Sequence, residues 1–226
     1  MNHDDEKNCV LLIKMFGVGF KLGLGTIVAT KILEIINMKV ARKIIETHGF
    51  WHYANAWIKS SLNSVLFGPL VYNLVKHVYV DKESHSLPVS FIKTPLLIIL
   101  HSFGYWAAHS LMHEKTLWFA HKFHHTFSTH VTPVVAMAVS PWEYIIAYMA
   151  PFVLASWMVT PSEVELVIAA AVVSCCNLII HTPSLEYTSK YYPKWLVSPA
   201  AHLRHHRFND KEHIAAPTIN LDYLFR

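Results

Sequence analysis

Eight histidines in the second half of the chain fall into three clusters, His109-Ser-Leu-Met-His113, His121-Lys-Phe-His124-His125 and His202-Leu-Arg-His205-His206. Residues four apart on a helix sit one turn above each other, so His109 and His113 can converge on one point. In the other two clusters the outer histidines are also four apart. The middle one, three from the first, is read as sharing their stripe. Each cluster then offers two or three nitrogens in one direction. Neutral imidazole suits iron, copper, zinc and nickel, whereas magnesium and calcium sites are built from oxygen. Eight such ligands are too many for a single tetrahedral zinc, and two metals are the simpler arithmetic. With 17 histidines in 226 residues, an isolated pair such as His48 and His52 carries little weight and is assigned to a solvated or interfacial surface. A His-x-x-x-His beside a twice-repeated His-x-x-His-His is a different case.

The elements that must position these clusters are membrane helices. The chain is 53% hydrophobic and 15% charged, with a mean hydropathy of +0.31, which sets it outside the soluble range. No linker divides it and no repeat appears beyond the clusters. The opening Met1-Asn-His-Asp-Asp-Glu-Lys carries acid where a secretory signal would carry base, so no cleaved signal is expected. Cys9, Cys175 and Cys176 lack Cys-x-x-Cys spacing and read as packing residues of a reducing compartment.

A bilayer core of about 30 Å needs roughly 20 apolar residues as helix. Four stretches are candidates: Ser61–Val80, Pro95–Met112, Val134–Val159 and Val164–His181. The last two form a hairpin turned at Thr160-Pro161-Ser162. Val10–Ile36 is broken by Lys14, Lys21, Lys31 and Glu34 and reads as an amphipathic interfacial helix, with residues 1–60 forming that region and 61–226 the membrane catalytic domain. The expected fold is thus all-α, a membrane bundle of about four spans capped by a cytosolic, helical, histidine-rich region. Of the 19 Lys and Arg, eight fall in residues 1–60 and six in 182–226, while the loop after the first span has only Lys82 and Lys93. The positive-inside tendency then places both termini in the cytosol, and the even span count puts all three clusters there. The basic residues are interspersed with acids, which argues against nucleic acid as a partner.

These residues resemble the fatty acid hydroxylase and sterol desaturase superfamily of membrane di-iron enzymes. Tyr105-Trp106-Ala-Ala-His109-Ser-Leu-Met-His113 resembles its first histidine element. Leu117-Trp-Phe-Ala-His121-Lys-Phe-His124-His125, with Pro133 and Pro141-Trp-Glu143 beyond, resembles the second. His181-Thr-Pro, then His202-Leu-Arg-His205-His206 followed by Leu221-Asp222, resembles the last two. The likeness covers about residues 95–226, in order. Ser110 stands where the family often has arginine, and Asn177 where some members have another histidine.

The resemblance implies two non-haem iron ions held by nine histidines, the eight in the clusters plus His181. Zinc is a possible substitute in purified protein. It implies an O2-dependent lipid hydroxylase or desaturase in the endoplasmic reticulum, fed with electrons by cytochrome b5 and its reductase or an equivalent donor. Asp222, Glu143 and Asn177 are expected behind the ligands, since a ligating histidine usually donates its other N–H to a carboxylate or carbonyl. His101 and Tyr105 continue the stripe of His109 and His113 into the membrane and are expected to line a substrate channel; equally, His101 could hydrogen-bond a neighbouring helix. A metal transporter would place its ligands at mid-membrane, whereas these sit at helix ends. That class and a catalytically inactive relative are the alternatives.

Overall fold

The computed structural model of the protein describes residues 3–208 and 212–225, with side chains from residue 17 onward. Met1, Arg226 and the Cys9 side chain lie outside the described residues. The described chain is helical, with only an isolated bridge between Leu196 and Ile219 in extended structure. Its α-helices are α1 (His3–Ile36), α2 (Met38–His48), α3 (Phe50–Leu62), α4 (Gly68–Tyr79), α5 (Leu87–Met112), α6 (Trp118–His121), α7 (Pro133–Ala136), α8 (Pro141–Glu143), α9 (Ala150–Val159), α10 (Glu163–Ile180), α11 (Pro199–Phe208) and α12 (Leu221–Phe225). π-Helical turns at Asn63–Phe67 and Tyr144–Met149 join α3 to α4 and α8 to α9. Short 3-10 helices span His124–Phe127 and Pro183–Tyr191.

Three described helices are long and apolar enough to cross a membrane: Leu87–Met112, Pro141–Val159 and Glu163–Ile180. Four were expected, with different boundaries. Ser61–Val80 does not qualify because Asn63, Asn73, Lys76 and His77 make it too polar; the π turn joining α3 to α4 also falls within it. The Val134–Val159 stretch is also broken. α7 stops at Ala136, and a new helix begins at Pro141, which needs no N–H donor at a first turn; Ser140 caps it by accepting from Glu143 N at 3.1 Å. The Leu87–Met112 helix, by contrast, starts before Pro95 and carries that proline inside it.

The turn at residues 160–162 forms as expected. Thr160 takes a left-handed conformation (φ 44°). Ser162 and Glu165 then make a reciprocal capping box, in which Ser162 N donates to Glu165 Oε2 at 2.8 Å. Glu165 also accepts from Ser90 Oγ at 2.6 Å and lies 2.9 Å from His85 Nδ1. Asp81 N donates to Pro161 O at 2.9 Å, so the 80–86 loop and the 160–162 turn share one end of the bundle. The histidines of α5 and α10 lie at the other end, about 27–39 Å away for helices of 18 and 26 residues.

The outward faces are apolar. Phe20, Leu24, Val28 and Ile32 form an exposed i, i+4 ridge on α1, and Leu62, Leu66, Leu70, Leu74 and Val78 another along α3 and α4. Exposed ridges of this kind suit lipid as the surrounding solvent. Inside, α1 packs along α4 and the first π turn, where a Cβ at Gly23 would overlap the Ser64 carbonyl. A Cβ at Gly104 would meet Pro151 Cβ at 2.8 Å, which brings α5 against α9. Cys175 and Cys176 are free thiols, the first exposed.

Candidate metal centre

All nine expected histidines meet at one end of the bundle, in two groups. His109, His113, His121, His125 and His205 form one, and His124, His181, His202 and His206 the other; within each, the candidate ligand nitrogens lie within 4.8 Å of one another. The groups abut, with the His125 and His206 rings stacked 4.9 Å apart. Eight of the nine are buried.

The division corrects the expectation that each His-x-x-His-His shares one stripe. In both motifs the first and last histidines enter one group and the middle one enters the other. In α11 the chain advances about 100° per residue, so His202 and His206 point within about 40° of each other while His205 departs from His206 by about 100°; at 121–125 the chain passes from α6 into the 3-10 helix that opens at His124, and the same division holds there. The motif therefore serves two neighbouring points at once. His113 and His181 join from the C-caps of α5 and α10, where the chain leaves the helix. α11, which carries His202, His205 and His206, is tied to the preceding 3-10 segment by the paired contacts of Arg207 with Glu186 at 2.7 and 2.6 Å.

Backbone carbonyls set the direction of three rings. His109 Nδ1 donates to Ile214 O at 2.7 Å, His181 Nδ1 to Asn177 O at 2.6 Å and His205 Nδ1 to Glu212 O at 3.1 Å. Each bond leaves Nε2 as the free lone pair. Nε2 atoms then converge. His121 Nε2 lies 2.9 Å from those of His109 and His125, and His181 Nε2 lies 2.9 and 3.1 Å from those of His202 and His206. Nitrogens bound about 2.1 Å from one ion sit about 3.0 Å apart at right angles and about 3.4 Å apart in a tetrahedron. The observed spacings match the right-angle case, and His124 Nε2 is buried with no hydrogen-bond partner. The donor set therefore fits a transition-metal ion in each group.

Electrostatics agree. Burial, reinforced by the neighbouring rings, holds His121, His124, His125, His202 and His206 well below the usual imidazole range, and burial lowers His181 to about 4. The rings stay neutral and keep their lone pairs.

The residues expected behind the ligands act in three ways. Glu143 is fully buried with Oε1 2.9 Å from His121 Nδ1, although the contact is off the direction of a hydrogen bond. Asp222 accepts from Ala215 N at 2.6 Å and Trp106 Nε1 at 3.1 Å, so it holds the strand of chain whose Ile214 carbonyl orients His109. Asn177 reaches His181 through its carbonyl oxygen, while its side-chain amide lies 3.1 Å from Met137 Sδ. Sequence reasoning missed the Ile214 and Glu212 carbonyls, since no residue letter encodes them. It also missed Trp118, whose ring packs against His113, His121 and His125.

The membrane stripe is real as a stack of rings. His101 contacts Tyr105, Tyr105 contacts His109, and His109 contacts His113, with centroids 6.2, 5.5 and 5.0 Å apart. His101 lines a cavity of about 140 Å³ within the bundle, together with Tyr148 and Asn177. Tyr105 packs instead between Tyr148 and His109.

A helical bundle with three helices apolar enough to cross a membrane, and with paired histidine groups at one end able to hold metal, defines a class of membrane protein. The fatty acid hydroxylase family model matches residues 94–226, and the chain belongs to that family. No curated protein and no solved structure matches it. The match begins within α5, so α1 to α4 lie outside it.

Proposed function

We propose that the protein is a membrane-bound oxidoreductase that uses O2 and electrons from an external donor to hydroxylate or desaturate a lipid. The observation that carries this reading is the convergence of nine neutral imidazoles, in groups of five and four, beside a largely apolar cavity. His109, His113, His121, His125 and His205 would hold one iron, and His124, His181, His202 and His206 the other. Iron bound there supplies the redox chemistry with O2 that an unactivated C–H bond requires and no side chain can provide. The chain's own residues orient and exclude. Ile214, Asn177 and Glu212 hold three ring N–H groups, Glu143 sits against His121, and buried Val134, Val135 and Ala138 help keep water from the interior. Zinc would occupy the same nitrogens in purified protein, because open imidazole sites bind it more tightly than ferrous iron.

In this reading the electrons arrive from cytochrome b5 and its reductase or an equivalent donor. The histidine end faces the cytosolic side of the endoplasmic reticulum; with three candidate spans and not four, the even count that placed both termini there no longer holds. The two histidine groups lie at helix ends, which favours catalysis over transport. The test is untargeted lipid analysis of cells expressing the chain beside His124→Ala and His205→Ala, with element analysis of protein kept in native membranes. A product lost in both variants, with iron bound to the parent, supports the assignment. Active protein containing zinc alone would overturn it.

A further inference from the structure

The last described helix, α12, folds back against the side of α5. Its Phe225 ring lies 5.7 Å from Phe103 and 6.0 Å from Trp106. Phe103 precedes His109 by six residues, about 9 Å along a helix apolar enough to cross a membrane, so Phe225 lies below the level of His109, toward the bilayer. Phe103 is itself exposed, and α12 continues that outward apolar face. The chain just after the 3-10 helix Pro183–Tyr191 is fastened to the start of α12: Asn220 Nδ2 donates to Lys194 O at 3.0 Å and Asn220 N to Trp195 O at 2.8 Å. These two segments expose Tyr187, Tyr191, Trp195, Tyr223, Leu224 and Phe225, each by more than half. Two lysines stand among the rings, Lys190 Nζ 4.9 Å from the centre of Tyr191 and Lys194 Nζ 6.0 Å from that of Tyr223. The segments' acids are occupied. Glu186 is held by Arg207 at 2.7 and 2.6 Å, and buried Asp222 accepts from Ala215 N and Trp106 Nε1.

We propose that this patch seats in the interfacial layer of the bilayer and binds anionic phospholipid, with Lys190 and Lys194 reaching headgroup phosphates and the rings resting at the acyl boundary. Tyrosine and tryptophan favour that layer because an apolar ring and a polar tip are both satisfied there. Lysine stems lie along apolar surface while their ammonium groups stay in the headgroups. A basic residue at an anionic surface contributes on the order of 5-fold in affinity, and the segments' acids, already engaged, do not cancel the two lysines. A free phosphate could meet the lysines but would leave six apolar or aromatic side chains in water. A phospholipid covers both, and the patch is continuous with the lipid-facing side of α5. The contact bears on the histidines as well. Asp222, beside Tyr223, holds Ala215 N, next to the Ile214 carbonyl that orients His109.

The proposal stands on the membrane helices and this surface, and holds whatever reaction the histidine groups support. The full chain would be placed in phosphatidylcholine nanodiscs after Cys9, Cys175 and Cys176 are changed to serine, with an environment-sensitive fluorophore on Leu224→Cys or, for comparison, on Thr129→Cys at the exposed histidine end. Emission from position 224 should be blue-shifted relative to 129. Phosphatidylserine carrying a quencher high on its acyl chain should quench position 224 more than the same amount of quencher-labelled phosphatidylcholine, reporting a local enrichment of about 5-fold. The enrichment should fall to parity in Lys190→Gln with Lys194→Gln, a pair of exposed surface changes, and to parity in high salt. Inorganic phosphate at the concentration of the anionic lipid should leave the emission unchanged. Water-like emission at 224, equal to that at 129, overturns the seating. Blue-shifted emission that neither lipid quenches would mean that a second copy of the chain covers the face, and overturns it too. Equal quenching by the two lipids overturns the recognition of anionic headgroups, and an enrichment that survives the double glutamine variant overturns the assignment to these lysines.

Discussion

Thr132 Oγ1 donates a 2.8 Å hydrogen bond to Glu34 Oε1, joining α1 to the segment that follows the second histidine cluster across 98 residues of chain. The same carboxylate, 5% exposed, accepts from Tyr53 Oη at 2.6 Å and Val134 N at 3.1 Å. One turn on, Asn37 Oδ1 accepts from Ser184 N at 2.9 Å, beside the segment that leaves His181. The end of α1 thus fastens both stretches that deliver histidines. Glu34→Ala should destabilise the protein by about 1–3 kcal/mol, since three buried donors lose their acceptor. Glu34→Gln should cost less than alanine but more than nothing, because its amide would face the Val134 N–H. Unfolding temperature and bound metal per chain would be measured together. An unchanged metal content and stability in Glu34→Ala would refute the fastening role.

The two-group arrangement makes a stoichiometric prediction about neighbours in the chain. His121→Ala with His125→Ala removes two ligands from one group and should leave one metal per chain of the original two. His124→Ala with His125→Ala removes one from each group and should deplete both sites. Element analysis of membrane-embedded protein distinguishes the outcomes. Equal losses in the two double variants would mean that the groups do not bind separately.

Metal removal should expose a pH dependence. Burial lowers the folded-state pKa of His121, His124, His125, His202 and His206 from the ordinary imidazole range, and that of His181 to about 4. As the pH falls, the unfolded chain takes up protons first. Metal-free protein therefore keeps its stability above pH 6.5 and loses it below, by up to about 1.4 kcal/mol per pH unit for each such histidine. Chelator-stripped protein should melt progressively lower at pH 6.5, 5.5 and 5.0. A flat profile over that range would contradict the burial of neutral rings.

At the far end of the bundle, Glu165→Ala should lower stability without touching the metals. It removes the capping box and the acceptor for Ser90. A loss of about 1–3 kcal/mol with full metal content is expected. Metal loss would show that this end is coupled to the histidine groups.

Orientation can be read from labelling. In a background with Cys9, Cys175 and Cys176 changed to serine, single cysteines at exposed Ser84 and Thr129 should give opposite accessibilities in sealed vesicles. Matching accessibilities would place the 80–86 loop and the histidine end on the same side.

The spacing of His109, His113, His121, His124, His125, His202, His205 and His206 was enough to mark a candidate metal site, because ligand type and helical period are local properties carried by residue letters. Apolar runs likewise revealed α5, α10 and the turn at Thr160. What sequence could not decide was partition. That His124 leaves its neighbour His125 for the company of His181 depends on how the 3-10 helix at His124–Phe127 meets α10 and α11, which are distant in the chain. Nor could it show that the Ile214 and Glu212 carbonyls set ring direction, that Pro141 and not Val134 opens the third long helix, or that Glu34 closes on Thr132. These depend on backbone atoms, which no residue letter encodes, or on partners about a hundred residues apart, such as His109 with Ile214 and Glu34 with Thr132, that only the packed bundle brings within hydrogen-bonding reach.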